Sequence, residues 1–236
     1  MVSIPERQDP TLDAVNAALE AEQKPYASKN IGFGEIGHEC SRYLWYKINT
    51  DEPEVFSAST LRIFNAGHSA EARMADEIRK VKGITLYTND PERENKQYKF
   101  DFLDGRLTGR LDGVIVGLLQ APKTPHVWEH KETNEKKFKT LREVQSLQKW
   151  DGKYHAQAQL AMFGSDLDRH YLTCSTGSLR DVVSCRTELN KPYAESLVIK
   201  AERIINAVEP PERIGGPDWF QCKNCRFHSK CHGESK

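Results

Sequence analysis

The chain has 236 residues, 29% of them charged and 38% hydrophobic, so it can bury a sizeable core as one large or two small domains. Its 34 Lys and Arg residues balance 34 Asp and Glu residues, which leaves no overall charge to attract nucleic acid. The sequence has no cleavable leader and no run near the roughly 18 apolar residues of a membrane span, which predicts a soluble, cytoplasmic protein.

Taken in chain order, hydrophobic periodicity predicts a mixed succession of helices and strands. The predicted helices cover residues 11–22, 40–48, 59–81, 136–148, 153–163 and 191–208. The predicted strands cover residues 83–88, 97–102, 107–119, 126–132, 170–174 and 181–189. A glycine-rich loop is expected at 30–37, and the tail after residue 209 contains prolines and glycines. This order predicts a single α/β domain with a mixed sheet flanked by helices.

The stretch 104–131 carries the clearest functional signal. Its two strands, separated by a turn with two prolines, are predicted to form a β-hairpin. Side chains alternate faces along a strand, so Glu129 and Lys131 share one face, which Asp112 reaches if the hairpin pairs in register. The sequence therefore predicts two carboxylates and one ammonium around one small volume.

This group of side chains suits metal-dependent cleavage of phosphodiester bonds. Carboxylate oxygens bind Mg²⁺ or Mn²⁺, and the bound ion lowers the pKa of a coordinated water and stabilises charge on the phosphate. Lys131 is expected to orient or help deprotonate that water. The alternative is an ordinary surface hairpin, but charged residues are uncommon inside buried strands unless they have a function.

His68 is a candidate for an additional metal ligand. The helical pattern places it on an apolar stripe with Phe64 and Ala75. A histidine on such a face is most often a core residue, whereas an imidazole directed toward two carboxylates would bind the metal. Glu71, one turn along the helix, either orients that histidine or forms a surface ion pair.

The six cysteines indicate thiols or metal ligands, because a reducing compartment disfavours disulfides. Three lie close together in the tail in the pattern C-x2-C-x5-C: Cys222, Cys225 and Cys231. Cys40 becomes a fourth ligand if the start of the chain returns to its end. The alternative is a zinc knuckle made by the tail cysteines with His228 or His232.

Charge is unevenly distributed along the chain. Residues 1–22 contain five acidic residues and one arginine, whereas residues 136–153 contain six basic and two acidic residues. A basic segment directly after the Glu-X-Lys strand could contact a phosphate backbone, although a solvated helix face explains it equally well.

Together these motifs resemble the PD-(D/E)XK nuclease superfamily. GRLDGVI followed by VWEHK is similar to its second and third motifs, with Asp112, Glu129 and Lys131 as acid, acid and lysine. FNAGHSAE resembles the histidine motif of the RecB-like branch, and KYHAQAQLAMF resembles that branch's helix with a tyrosine and a glutamine. The four-cysteine pattern resembles the iron–sulfur clasp of CRISPR-associated exonucleases and related phage nucleases.

The resemblance implies a restriction-endonuclease-like α/β fold, with a central mixed sheet flanked by helices and an iron–sulfur clasp joining the C-terminus to an N-terminal helix. It implies one RecB-like nuclease domain at 31–236, after an acidic arm at 1–30. The implied metal ligands are His68, Asp112, Glu129 and the backbone carbonyl of His130.

The same resemblance assigns further roles. Lys131 positions the water, and Tyr154 and Gln157 contact the scissile region or the DNA backbone. A 4Fe-4S cluster, favoured over zinc, is implied at the four cysteines: Cys40, Cys222, Cys225 and Cys231.

The implied activity is exonucleolytic, on single-stranded DNA ends, in recombination, repair, phage replication or CRISPR spacer acquisition. This implies a bacterial, archaeal or phage-infected cytoplasm and protein partners in recombination or replication. Two alternatives are an endonuclease of the same fold and a catalytically idle DNA-binding module. Idle relatives tend to lose the Lys or the Glu, whereas this sequence has both.

Overall fold

The computed structural model describes residues 9–94, 96–177 and 180–233. The first eight residues of the predicted arm 1–30 and the last three of the predicted domain 31–236 lie outside the described residues. Ser178 and Leu179, in the predicted turn of the second hairpin, also lie outside them. Within the described part, no helix is long and apolar enough to cross a membrane.

The described chain has the mixed α/β composition that the sequence predicts. Its helices are α1 Pro10–Ala21, α2 Phe33–Ile36, α3 Ser41–Asn49, α4 Ala58–Arg79, α5 Glu135–Val144, α6 Leu147–Trp150, α7 Gly152–Ser165, α8 Lys191–Asn206, α9 Phe220–Lys223 and α10 His228–His232. Its strands are β1 Ile31–Gly32, β2 Thr85–Tyr87, β3 Lys99–Phe102, β4 Leu107–Arg110, β5 Gly113–Val116, β6 His126–Thr133, β7 Arg169–Thr176 and β8 Val182–Glu188.

The strands form two mixed sheets, so the prediction of one central sheet was wrong. The larger sheet has the order β2-β5-β6-β7-β8, and only β6 and β7 run parallel in it. The smaller sheet has the order β1-β4-β3. Periodicity identifies strands but not their partners, which is why the division into two sheets could not be predicted.

The single strand predicted at 107–119 was wrong for the same reason. β4 pairs with β1 and β3, whereas β5 pairs with β2 and β6, so the chain crosses between the sheets at Leu111 and Asp112. Leu111 is buried in a cluster with Val127 and Met162. The crossing leaves Asp112 directly before β5 and outside any strand.

Two other secondary-structure predictions were also wrong. The loop expected at 30–37 contains β1 and α2, because Ile31 and Ile36 are fully buried and anchor it in the core. The helix expected at 136–148 is interrupted at Gln145, which has a left-handed φ of 46° and separates α5 from α6.

Helix α7 lies at the centre of the molecule. Nearly all of its middle residues are buried, so it carries no amphipathic pattern: His155, Ala156, Ala158, Gln159, Leu160, Ala161 and Met162. Leu160 packs in a cluster with Ile36 and Ala201, while Met162 packs against Val127 of β6. The Asp151 side chain caps the helix by accepting hydrogen bonds from the amides of Lys153 and Tyr154. The cap sets the position at which α7 begins beside β6.

Helix α4 lies on the other face of the larger sheet. Its contact with the sheet uses Ala75 and Ile78, which pack with Trp128 of β6. The predicted apolar stripe through His68 was wrong in its first half, because Phe64, His68 and Ala72 are exposed. Helix α1 lies against α4, where Glu20 Oε1 accepts a hydrogen bond from the Ala58 amide at 2.7 Å.

Candidate active site

Strand β6 extends beyond its antiparallel partner. The β5–β6 ladder ends at the pair Gly113 and Trp128, so β6 has no β5 partner from Glu129 onward. Asp112 occupies the place of the missing strand, because its Oδ2 accepts a hydrogen bond from the backbone N–H of His130 at 3.0 Å. On its other edge β6 stays paired with β7 as far as Thr133. An acidic side chain is therefore held at the open edge of a buried strand.

Glu129 and Lys131 lie on one face of this strand, as alternation predicts. Their side chains are 6% and 22% exposed, and Nζ of Lys131 lies 2.6 Å from Oε1 of Glu129. Among the described residues, no partner other than this ammonium lies at Oε1. Oε2 contacts Nε2 of His170 on β7 at 3.2 Å. The carboxylate is thus contacted at both oxygens, by Lys131 at Oε1 and by His170 at Oε2.

The electrostatics reflect several acids around one ammonium. Burial, with Glu129 and Glu71 nearby, raises the pKa of Asp112 to about 7. Burial also raises the pKa of Glu71. Burial alone would raise the pKa of Glu129, but the Lys131 charge and the His170 hydrogen bond lower it. Burial opposes the charge of Lys131, yet Glu129 and Asp112 raise its pKa and favour the ammonium form. Three carboxyl groups share one lysine, so an additional cation would relieve their repulsion.

His68 faces the same cleft. The cleft has a volume of about 420 Å³, and its lining includes His68, Glu71, Asp112 and Lys131. His68 is exposed on α4, so it is not the core residue that its apolar neighbours in sequence suggested. The structure therefore brings His68 to the acids across the space between α4 and β6.

The His130 side chain contacts hydroxyl groups of β7. Its ring nitrogens contact the Thr173 and Ser175 hydroxyls, each at 3.1 Å, and burial lowers its pKa to about 4. The imidazole is therefore neutral and fixed against β7. At the site, the backbone N–H of His130 donates to Asp112.

Tyr154 and Gln157 do not belong to the lining of this cleft. The Tyr154 ring lies beside the site, with its centroid 5.3 Å from Nζ of Lys131, and it stacks on Trp150. The Gln157 carboxamide instead lies against α2, where a Cβ on Gly34 would be 3.3 Å from its Oε1. Tyr154 is thus placed to support Lys131, whereas Gln157 connects α7 with α2.

The four cysteines of the predicted clasp line a second cavity, of about 300 Å³. Cys40 is the N-cap of α3, and its Sγ accepts a hydrogen bond from the Tyr43 amide. Nη1 of Arg42 lies 3.8 Å from Sγ of Cys231. The two remaining cysteines, Cys174 and Cys185, are buried in β7 and β8. The fold therefore brings Cys40 to the tail, 182 positions away from Cys222.

In the described ranges, no three or more His, Cys, Asp or Glu residues are arranged so that they could hold a metal ion. This applies to both groups of side chains. The donors nevertheless fit the expected ions in kind. Glu71 and Asp112 line the cleft, whereas Glu129 lies beside Lys131 and is not among the lining residues. The carboxylate oxygens of such a group suit Mg²⁺ or Mn²⁺. Thiols lining one cavity suit zinc or an iron–sulfur cluster.

Comparison with solved structures places this fold among known proteins. The chain matches the crystal structure of an alkaline exonuclease, LHK-Exo, from Laribacter hongkongensis with a TM-score of 0.55 and 12% identity, over 82% of this chain and 90% of that one. The chain shares the fold of this exonuclease. The LHK-Exo complex with dAMP matches at a TM-score of 0.54 and 12% identity, over 75% and 86% of the chains.

A third solved structure covers nearly the whole length of both chains. The protein SSO0001 matches with a TM-score of 0.53 and 14% identity, over 97% of this chain and 99% of that one. No family model and no curated protein matches the chain. At these identities the similarity establishes the fold, and the chemistry has to be argued from the site.

His170 is the residue of this site that the sequence did not indicate. It lies on β7, 41 positions after Glu129, with no motif around it. Its proximity to Glu129 arises from the parallel pairing of β6 with β7, which joins them across the intervening helices α5 to α7.

Proposed function

We propose that the protein is a metal-dependent deoxyribonuclease with Asp112, Glu129 and Lys131 at its catalytic centre. The observation that carries the proposal is that the three charged side chains lie together at the open edge of β6, with Glu129 buried and the other two half-buried, beside a cleft. Grouped buried charges are costly and are typical of functional sites. The shared fold with an alkaline exonuclease supports the same conclusion.

The acids at the cleft are proposed to hold one Mg²⁺ or Mn²⁺ ion. Its ligands would be Asp112, Glu129, His68 and the His130 carbonyl, and the bound ion would lower the pKa of water and stabilise phosphate charge. Lys131, held beside Glu129 and against the Tyr154 ring, orients the attacking water. Asp112 keeps the main chain of His130 in place through its hydrogen bond.

We propose exonucleolytic action on single-stranded DNA ends. Ile63 and Phe64 line the cleft and are 66% and 43% exposed, so an unpaired base can stack on Phe64. The exposed lysines of α5, including Lys136 and Lys139, follow β6 directly and can contact the phosphate backbone. LHK-Exo has been crystallised with dAMP, a mononucleotide, which supports nucleotide recognition by this fold.

The cysteine cavity is proposed to hold a 4Fe-4S cluster that ties α3 to the tail. The cavity is lined by all four thiols of the implied set, which is the ligand number that a 4Fe-4S cluster needs. The cluster would be structural, because the cavity is lined by Cys40 and the tail and shares no lining residue with the catalytic cleft.

The test is a time course with end-labelled single-stranded and duplex DNA in Mg²⁺ or Mn²⁺. Wild-type protein should release mononucleotides or short products from single strands, and Lys131→Ala should not. Nicking of a closed circular plasmid at a comparable rate would identify an endonuclease instead. DNA binding without any metal-dependent cleavage would leave only the DNA-binding module and would reject the proposal.

A further inference from the structure

We propose that His170 is a positioning residue for Glu129. The imidazole holds Oε2 of the carboxylate, so that Oε1 stays directed toward Lys131. The inference rests on the proposed nuclease function, because it assigns His170 a role in presenting the carboxylate to the metal.

The contact is buried from both sides. His170 is 0% exposed and the Glu129 side chain is 6% exposed, and Nε2 of His170 lies 3.2 Å from Oε2 of Glu129. A buried carboxylate needs a donor at each oxygen, because water is not available to replace one. Lys131 lies at Oε1, 2.6 Å away, so His170 is the donor that remains for Oε2. Without it the carboxylate could rotate about its last bond.

Strand pairing makes the position of this imidazole rigid. β7 runs between β6 and β8, with His170 opposite Val127 on one side and Thr187 on the other. Val127 and Glu129 share a face of β6, and His170 points to the same side from the neighbouring strand. The imidazole therefore reaches Glu129 diagonally across one strand spacing. Because β7 is paired with a strand along both edges, the backbone that carries the His170 imidazole has little freedom to move.

Packing alone does not account for a histidine here. Among the described residues, Nδ1 of His170 has no hydrogen-bond partner, so the contact with Glu129 is the ring's one recorded side-chain hydrogen bond. Burying a polar ring for a single contact is costly. His126 is also buried with one ring contact, to a backbone carbonyl, whereas the one contact of His170 is with a carboxylate of the site. The histidine is explained if that contact serves the site. Groups that orient metal ligands in this way typically change metal affinity when they are removed.

The experiment compares three substitutions with a matched control. His170→Leu removes the donor but keeps an apolar side chain, and His170→Gln offers an amide N–H near the position of Nε2. In His170→Asn the side chain is too short for its amide N–H to reach Oε2. The control is His126→Leu, which removes another fully buried histidine, one whose Nδ1 contacts the backbone carbonyl of Thr124 at 2.9 Å. Urea unfolding establishes that each variant is folded.

The first readout is the dissociation constant for Mn²⁺ in the absence of DNA. The second is the Mn²⁺ concentration that gives half-maximal cleavage, separated from kcat at saturating Mn²⁺. His170→Leu and His170→Asn should weaken Mn²⁺ binding by about 10-fold to 100-fold, with His170→Gln within about 3-fold of wild type. The control should bind Mn²⁺ as wild type does, even if it is less stable.

The outcomes separate the inference from the function on which it rests. Equal Mn²⁺ affinity in His170→Leu, His170→Asn and the control overturns the positioning role while leaving the nuclease intact. If His170→Leu does not fold, the contrast between His170→Gln and His170→Asn decides, and equal Mn²⁺ affinity in these two overturns it. A folded wild type that neither binds Mn²⁺ nor cleaves DNA overturns the proposed function and this inference together.

Discussion

Replacing Asp112 by asparagine should stabilise the metal-free protein at alkaline pH and abolish metal-dependent cleavage. Asparagine keeps an oxygen that can accept the hydrogen bond from the His130 amide. It removes a negative charge from a site shared with Glu129 and Glu71. Stability and activity are therefore expected to change in opposite directions.

The magnitude follows from the pKa of Asp112, which burial raises from 3.8 to about 7. Each pKa unit corresponds to about 1.4 kcal/mol, so ionising Asp112 costs the folded state on the order of 4 kcal/mol. The folded protein keeps this proton up to about pH 7, whereas the unfolded chain loses it near pH 4. The free energy of unfolding of wild type therefore falls as pH rises between these values and then levels off.

The assay is urea unfolding at pH 5 and pH 9 in buffer without added divalent metal. The advantage of Asp112→Asn over wild type should be about 2 to 3 kcal/mol larger at pH 9 than at pH 5. The control Asp101→Asn removes an exposed acid from β3 and should show no such difference. Adding Mn²⁺ should stabilise wild type but not Asp112→Asn. An Asp112→Asn protein less stable than wild type at pH 9 would refute the reasoning.

The remaining predictions concern the catalytic pair, the clasp and the helix α4 ligand. Lys131→Ala and Glu129→Gln should each reduce cleavage by more than about 100-fold while circular dichroism shows a folded protein, and activity within tenfold of wild type would contradict their assignment. Anaerobically purified protein should be brown and contain iron and acid-labile sulfide, and Cys40→Ser should lose the cluster and melt at a lower temperature. One tightly bound zinc ion without iron, retained in Cys40→Ser, would instead indicate the tail knuckle. His68→Ala should change stability by less than about 0.5 kcal/mol, because the side chain is exposed, but should weaken Mn²⁺ binding; unchanged Mn²⁺ affinity would remove it from the ligand set.

Local chemistry in the sequence determined much of the candidate site. Alternation along β6 places Glu129 and Lys131 on one face, and this depends only on the period of an extended chain. The helices α4, α7 and α8 are also close to their predicted limits, because their apolar residues recur or run continuously over many turns. The α/β class followed from the order of these elements.

The tertiary structure decided what depends on contacts between distant segments. The division into two sheets places Asp112 at a crossing and not inside a strand, and no local pattern encodes which strands pair. His68 is exposed at the cleft although the residues on its face of the helix are apolar. The reason is that only the C-terminal half of α4 packs on the sheet. His170 reaches Glu129 only through the parallel β6–β7 ladder, formed across an intervening helical segment. Periodicity reports the environment of one element, whereas pairing and cleft formation depend on how several elements pack together.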